Sequence, residues 1–226
     1  MNFTKNYTDF FDIRSLEIFE MTIVYKDFVD GLQAFLKSFI GDGLPDDRAG
    51  TIARTVVGSM SDPSLHYHTP VHVLSMFQFA EQNGLEIGCA NELAVWFHDS
   101  IYVPGKEGQN EPCSGHFMKA LLDPFLDEAI SQKVDGIIQA TAKHLEEVSV
   151  DHMLIMDLDL CAFAFENQDV VQQCVRDEYP DLNDTEYAER RKAFLEALIA
   201  KGHVFRSAVF RDRFDDIAMK NIKALL

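Results

Sequence analysis

Apolar residues recur along this 226-residue chain at spacings of three and four, and alternating β-branched runs are nearly absent. That periodicity commits the chain to helices that each bury one stripe, so the expected class is all-α, built by packing helix on helix. A chain of this length is expected to form one sizeable domain. The first amphipathic stretch covers residues 18–40 and stops at Gly41-Asp42-Gly43, a turn signal followed by Pro45. A second helix is expected over 47–60, closed by the loop Ser61-Asp62-Pro63-Ser64. Thr69 and Pro70 have the form of an N-cap and a first helical residue, and they open a helix to residue 82 with His72 in its first turn. Further helices are expected near 90–101, 113–122, 126–143, 151–165, 168–178, 185–200 and 211–225. The helices before residue 60 are expected to pack on a core made by 61–226.

Charge narrows the partners. Twenty Lys and Arg against 37 Asp and Glu give a formal charge of -17, and no basic cluster offers a footprint for a phosphate backbone, so a nucleic-acid polymer is excluded as partner. A small phosphorylated substrate remains compatible with an acidic chain if a metal cation and a few arginines reverse the field inside a pocket. No segment approaches the ~18 consecutive apolar residues of a membrane span. The N-terminus shows no apolar stretch followed by a small-residue cleavage site, so no signal peptide is expected. Cys89, Cys113, Cys161 and Cys174 lack CxxC spacing and fall in helical segments, so they read as core thiols of a cytoplasmic chain. A homo-oligomer is compatible with the sequence.

The chemistry concentrates where the apolar helical run Leu93-Ala94-Val95-Trp96-Phe97 ends in His98-Asp99. An ionised carboxylate buried without a partner costs several kcal/mol, so such a group is paired, hydrogen-bonded or bound to a metal. On the dipeptide alone, a helix-capping Asp99 and a hydrogen-bonded core His98 explain the pattern as well as a metal does. A second set of ligand types shifts the balance: His68 and His72 lie upstream, and Met156-Asp157-Leu158-Asp159-Leu160 follows in another apolar helical stretch. Two histidines and two carboxylates on separate helices can close round a divalent cation such as Mn, Fe, Ni, Zn or Mg. Pro70 places His68 in the loop before the helix, which makes His72 the ligand and His68 an outer or substrate contact.

From Ser61 to Leu226 the chain resembles the HD-superfamily metal-dependent phosphohydrolases. His66-Tyr67-His68-Thr69-Pro70-Val71-His72 is similar to the family's YHxxxH segment, and Trp96-Phe97-His98-Asp99-Ser100-Ile101-Tyr102 to its WFHDxxY signature. Asn110-Glu111-Pro112-Cys113-Ser114 resembles NExxS, Thr141-Ala142-Lys143-His144 resembles TxxH, and Asp157-Leu158-Asp159-Leu160 resembles DxDL. Arg176-Asp177-Glu178-Tyr179 looks like an RxEY element, and Arg191 like an arginine of the family's last third. Two positions depart from the pattern. His66 stands where the family tends to carry an arginine, and Cys161-Ala162-Phe163-Ala164-Phe165 replaces an expected turn glycine.

The resemblance implies an HD-domain helical bundle around a metal held by His72, His98, Asp99 and a distant aspartate. Asp157 and Asp159 are about 200° apart on a helix, so both should not face one ion; Asp157 is slightly favoured. Asp99, His68, Glu111 and His144 are the catalytic candidates, with the last two able to complete a second metal site or act on water. A solvated acid and a helix-end histidine are the competing readings for that pair. Arg176, Arg191 and Tyr67 are the substrate-binding candidates; surface pairing of the arginines with Glu178 or Glu189 is the alternative. The expected activity is hydrolysis of a small phosphorylated metabolite or nucleotide. The alternatives are an HD-fold di-iron oxygenase and a non-catalytic metal- or nucleotide-binding protein.

Overall fold

Helix α1 (Ile18–Ile40) repeats Val24, Phe28, Leu32 and Leu36 at every fourth position, and all four are buried. It ends at Gly41, whose φ of 75° suits a residue without a Cβ. Helix α2 (Asp46–Ser59) packs along α1 through Ala49, Ile52, Ala53, Val56 and Val57. This computed structural model describes Tyr7, residues 18–106 and residues 108–226; the N-terminal segment read as lacking a signal peptide lies outside the described residues, Tyr7 apart. Among the described residues there are ten α-helices and no strand, and no helix is long and apolar enough to cross a membrane.

Helix α3 (Pro70–Gln82) is buried on every side from Pro70 to Ala80, as expected of a helix at the centre of a fold. Thr69 enters it in extended conformation with Pro70 at its start, although the Thr69 side chain makes no capping bond. Helix α4 (Cys89–Phe97) buries Leu93 to Phe97, with Trp96 edge-on to Phe28 at 4.9 Å and tilted against Phe77 at 4.5 Å. Helices α5 (Asn110–Leu122) and α6 (Glu128–Ala140) approach closely at Gly115, where an added Cβ would lie 2.0 Å from Asp135 Oδ1. Helix α7 (Val150–Asp159) buries Ile155 to Leu158; α8 (Gln168–Asp177), α9 (Asp184–Ala200) and α10 (Ala208–Ala224) complete the bundle. One hydrophobic cluster runs from Val24 on α1 to Ile222 on α10.

Three helices expected from periodicity end early. α4 stops at Phe97, α6 gives way to a 3-10 turn over Thr141–Lys143, and α7 to another over Cys161–Ala164. Apolar residues three apart, such as the buried Leu160 and Phe163, satisfy a 3-10 turn as well as an α-helix, so the pattern continues past the true end. The same turn takes the place of the expected glycine without a positive φ. Cys161 and Cys174 are core thiols, whereas Cys89 and Cys113 are exposed, one opening α4 and the other on the outer side of α5; all four are free.

The site follows from this packing. α3, α4 and α7 touch one another in the core, and the start of α3 meets the ends of α4 and α7.

Candidate metal centre

His72 from the first turn of α3, His98 and Asp99 from the end of α4 and Asp159 from the last residue of α7 bring one ligand atom each within 4.8 Å of all the others. His72 Nε2 lies 3.0 Å from Asp159 Oδ1 and 3.7 Å from Asp99 Oδ2. His98 Nε2 lies 3.0 Å from Asp99 Oδ2 and 3.6 Å from Asp159 Oδ1. Two atoms each about 2.1 Å from a shared ion stand about 3.0 to 3.4 Å apart at octahedral or tetrahedral angles, so the two 3.0 Å pairs match a shared cation and the 3.6 and 3.7 Å pairs lie a few tenths of an ångström wide of it.

The hydrogen bonding points the same way. The Val95 carbonyl lies 3.0 Å from His98 Nδ1 and can only accept, so Nδ1 carries the hydrogen and Nε2 turns its other face to the carboxylates. His98 Nε2 and Asp99 Oδ2 are buried and make no well-angled hydrogen bond. A nitrogen lone pair facing two carboxylates is satisfied by a proton or by a metal cation. Burial by itself would keep His98 neutral, but Asp99 and Asp159 hold its pKa well above the usual imidazole value. Burial would favour the acid form of Asp159, yet the rings of His144, His72 and His98 beside it hold its pKa well below the usual carboxylate range. Asp99 is lowered too, with His98 outweighing burial.

The preference for Asp157 is corrected. Its carboxylate is buried on the other side of α7, where Oδ1 accepts from the Arg206 backbone N–H at 2.6 Å and Oδ2 from that of Ser207 at 2.8 Å. Those amides lie just before α10, whose N-cap is Ser207, so Asp157 anchors the entry to a helix while Asp159 faces the histidines.

A cavity of about 450 Å³ opens onto the cluster, lined at that end by Asp99, Asp159, His68, Glu111 and His144. His144 Nε2 lies 3.1 Å from Asp159 Oδ2, the oxygen turned away from His72. Glu111 Oε2 has no partner, and burial followed by Asp99 and Asp159 raises its pKa. Tyr67 and Tyr102 also line the cavity. Asn110 and Ser114 of the NExxS match serve the backbone instead, bonding to both the N–H and C=O of Val103 and Ile101, the loop after the doublet. His66 lines a separate cavity of about 270 Å³ beside α1.

The two arginines divide. Arg191 lines the main cavity. Arg176 does not: its guanidinium binds the carbonyls of Tyr179 and Leu182 and the Asp184 carboxylate, bracing the turn between α8 and α9. Arg176 is therefore withdrawn as a phosphate ligand, and its acidic partner is Asp184 rather than Glu178 or Glu189.

Two functional positions escape the sequence reading. Glu178, weighed there as a surface partner, is 1% exposed. Its Oε1 accepts from the backbone N–H groups of His66, Tyr67 and His68, and its Oε2 lies 2.5 Å from His68 Nδ1. Burial opposes a charged His68, but Glu178 prevails and raises its pKa, while the ring stacks on Tyr102 at 3.5 Å. Buried Arg206 donates to the carbonyls of Lys143, His144 and Glu146, holding the turn that presents His144. The RxEY match contained Glu178, but nothing local marks it as buried; Arg206 carries no motif.

Comparison of the chain with known protein families, with curated proteins and with solved structures finds no match.

Proposed function

We propose that this chain is a metal-dependent phosphohydrolase of the HD type, holding a divalent cation on His72, His98, Asp99 and Asp159 and cleaving the phosphate ester of a small metabolite or nucleotide. The observation that carries the reading is that four ligand-type side chains from three packed helices meet at a cavity which also presents His68 and Arg191. Their N₂O₂ donor set suits Mn, Fe, Ni, Zn or Mg and leaves positions for water and substrate. A cation held there would lower the pKa of a bound water towards about 7 and would draw charge from a phosphoryl oxygen.

The protein's own residues supply the rest. Asp99 faces both cluster and cavity and can orient the attacking water. Glu178 holds His68 through Nδ1, leaving Nε2 to hand a proton to the departing oxygen. Arg191 offsets phosphoryl charge that a chain of -17 would otherwise repel.

Elemental analysis of freshly purified protein, followed by a phosphate-release screen with each metal, tests the reading. One divalent ion per chain and metal-dependent release are expected; no stoichiometric metal would overturn it. One observation favours a di-iron oxygenase as a second reading: Glu111 Oε2 has no partner, and His144 sits on the second oxygen of Asp159, beside the first cluster. Two irons per chain with oxygen consumption and no phosphate release would select it.

A further inference from the structure

Besides its carboxylates and histidines, the cavity is lined by Leu160, Phe163, Val171, Val175, Leu182 and Phe194 and by the rings of Tyr67, Tyr102, Tyr179 and Tyr187. Arg191 lines the same cavity. Its guanidinium sits 5.5 Å from the ring centres of both Phe163 and Phe194, and its Nε and Nη2 donate to Gln172 Oε1 at 2.9 and 2.6 Å. Gln172 is a neutral amide, so this cation is held in place without being neutralised. Its electrostatic neighbours are the phenols of Tyr187, Tyr67, Tyr179 and Tyr102, and burial depresses its pKa. A half-buried guanidinium that is hydrogen-bonded to a neutral amide and faces a cavity can receive an anion.

Few polar groups of the lining are free for a polyol: the Tyr102 and Tyr179 hydroxyls lie 3.3 Å from each other, and the Tyr187 hydroxyl is buried without a partner. The Gln172 amide is already engaged, its Oε1 by Arg191 and its Nε2 by Gln168. A sugar phosphate would set hydroxyls against leucine, valine and phenylalanine, and each unmatched hydroxyl costs on the order of tenfold in affinity. A polyphosphate fits no better, because the cavity's arginines are Arg191 and the exposed Arg190, against the carboxylates of Asp99, Glu111 and Asp159.

We propose that the cavity takes a phosphomonoester of an aromatic or similarly flat, weakly polar alcohol, with Arg191 and the metal end on the phosphoryl group and the Leu160–Phe163–Val175–Phe194 wall on the ring. This rests on the phosphohydrolase reading, and the test separates the two. The probes are phenylphosphonate and methylphosphonate, titrated by calorimetry into the protein as purified, and benzyl phosphate and glycerol phosphate, whose leaving alcohols are similar, assayed with the divalent metal that best supports turnover. Phenylphosphonate should bind at least tenfold more tightly than methylphosphonate. Arg191→Gln should weaken binding of both about 10- to 100-fold, and the near-isosteric Val175→Thr should shrink the difference between them. Benzyl phosphate should exceed glycerol phosphate in kcat/KM by roughly 100-fold, one decade for each of the two unmatched hydroxyls. Equal binding of the two phosphonates overturns the ligand assignment whatever the turnover. No hydrolysis with any metal, alongside tight Arg191-dependent phenylphosphonate binding, overturns the hydrolase reading and leaves the ligand assignment standing.

Discussion

Asp157 and Asp159 lie two residues apart on α7 and are put to opposite uses. Asp157 meets two backbone N–H groups, whose hydrogens satisfy a carboxylate outright. Asp159 meets ring nitrogens of His72, His98 and His144. An imidazole nitrogen gives a carboxylate nothing unless it carries a proton or shares a cation with it, so the second arrangement could hold a metal ion and the first could not. Titration separates them as well: burial leaves Asp157 above its ordinary pKa, whereas the histidine rings hold Asp159 well below it despite burial. The kind of nitrogen facing a buried acid, more than the acid itself, tells whether a site is structural or chemical.

The strongest way to break this contrast is Asp99→Ala. Its carboxylate shares the cluster with Asp159, so the variant should lose metal and phosphate release altogether while circular dichroism shows helical content nearly intact. Full activity with normal metal content would remove the proposed centre.

The aspartate pair sharpens the contrast directly. Asp159→Asn should weaken metal binding by about 100-fold or more, since an amide brings no charge to the ion. Asp157→Asn should leave metal affinity within about threefold but cost about 1 to 3 kcal/mol of stability, from weaker bonds to the Arg206 and Ser207 amides just before α10. Metal titration by calorimetry and chemical denaturation of both variants are the measurements, and the reverse ranking would restore Asp157 as ligand.

Arg191 and Arg176 repeat the contrast among cations, one facing a cavity and the other spent on a turn. Arg191→Ala should raise KM for a phosphorylated substrate about 10- to 100-fold, the worth of a charge-assisted bond. Arg176→Ala should leave KM within about twofold and lower Tm, because it frees the turn held to Asp184. Equal KM effects would place phosphate recognition elsewhere.

The smallest effect is a pH dependence at Glu178. His68 and the backbone amides hold its folded pKa below the ordinary 4.5 even though burial pushes the other way. Its contribution to stability is therefore complete above the unfolded value and is lost as pH falls through the folded one, because the unfolded chain binds the proton first. The Tm of the metal-free protein should fall more steeply with acid below about pH 4.5 than that of Glu178→Gln, which has no proton to take up. Identical slopes would show that the Glu178 and His68 pair is not ionised as described.

Much of the helix order was legible in the sequence. The apolar rhythm places helices over 18–40 and 70–82, the limits they have in the fold, and the sequence marks His72, His98 and Asp99, which the fold brings together, as ligand types. Helix ends were less legible wherever 3-10 turns extend the apolar rhythm, as after Ala140 and Asp159. Glu178 was missed because burial of an acid on a mixed helix end leaves no periodic trace, and its partners lie more than a hundred residues upstream.

By itself the sequence determined that this protein is helical and that polar ligands close two of its apolar runs, because periodicity and the cost of burying charge act locally along the chain. It also determined that Asp157 and Asp159 must diverge, since that follows from the turn of one helix. Which of them would face His72, which arginine would face the cavity and which acid would hold His68 were decided by tertiary structure alone. Those choices depend on the rotation of α7, α8 and α9 against their neighbours, and helix phase is set by packing with residues far away in the chain.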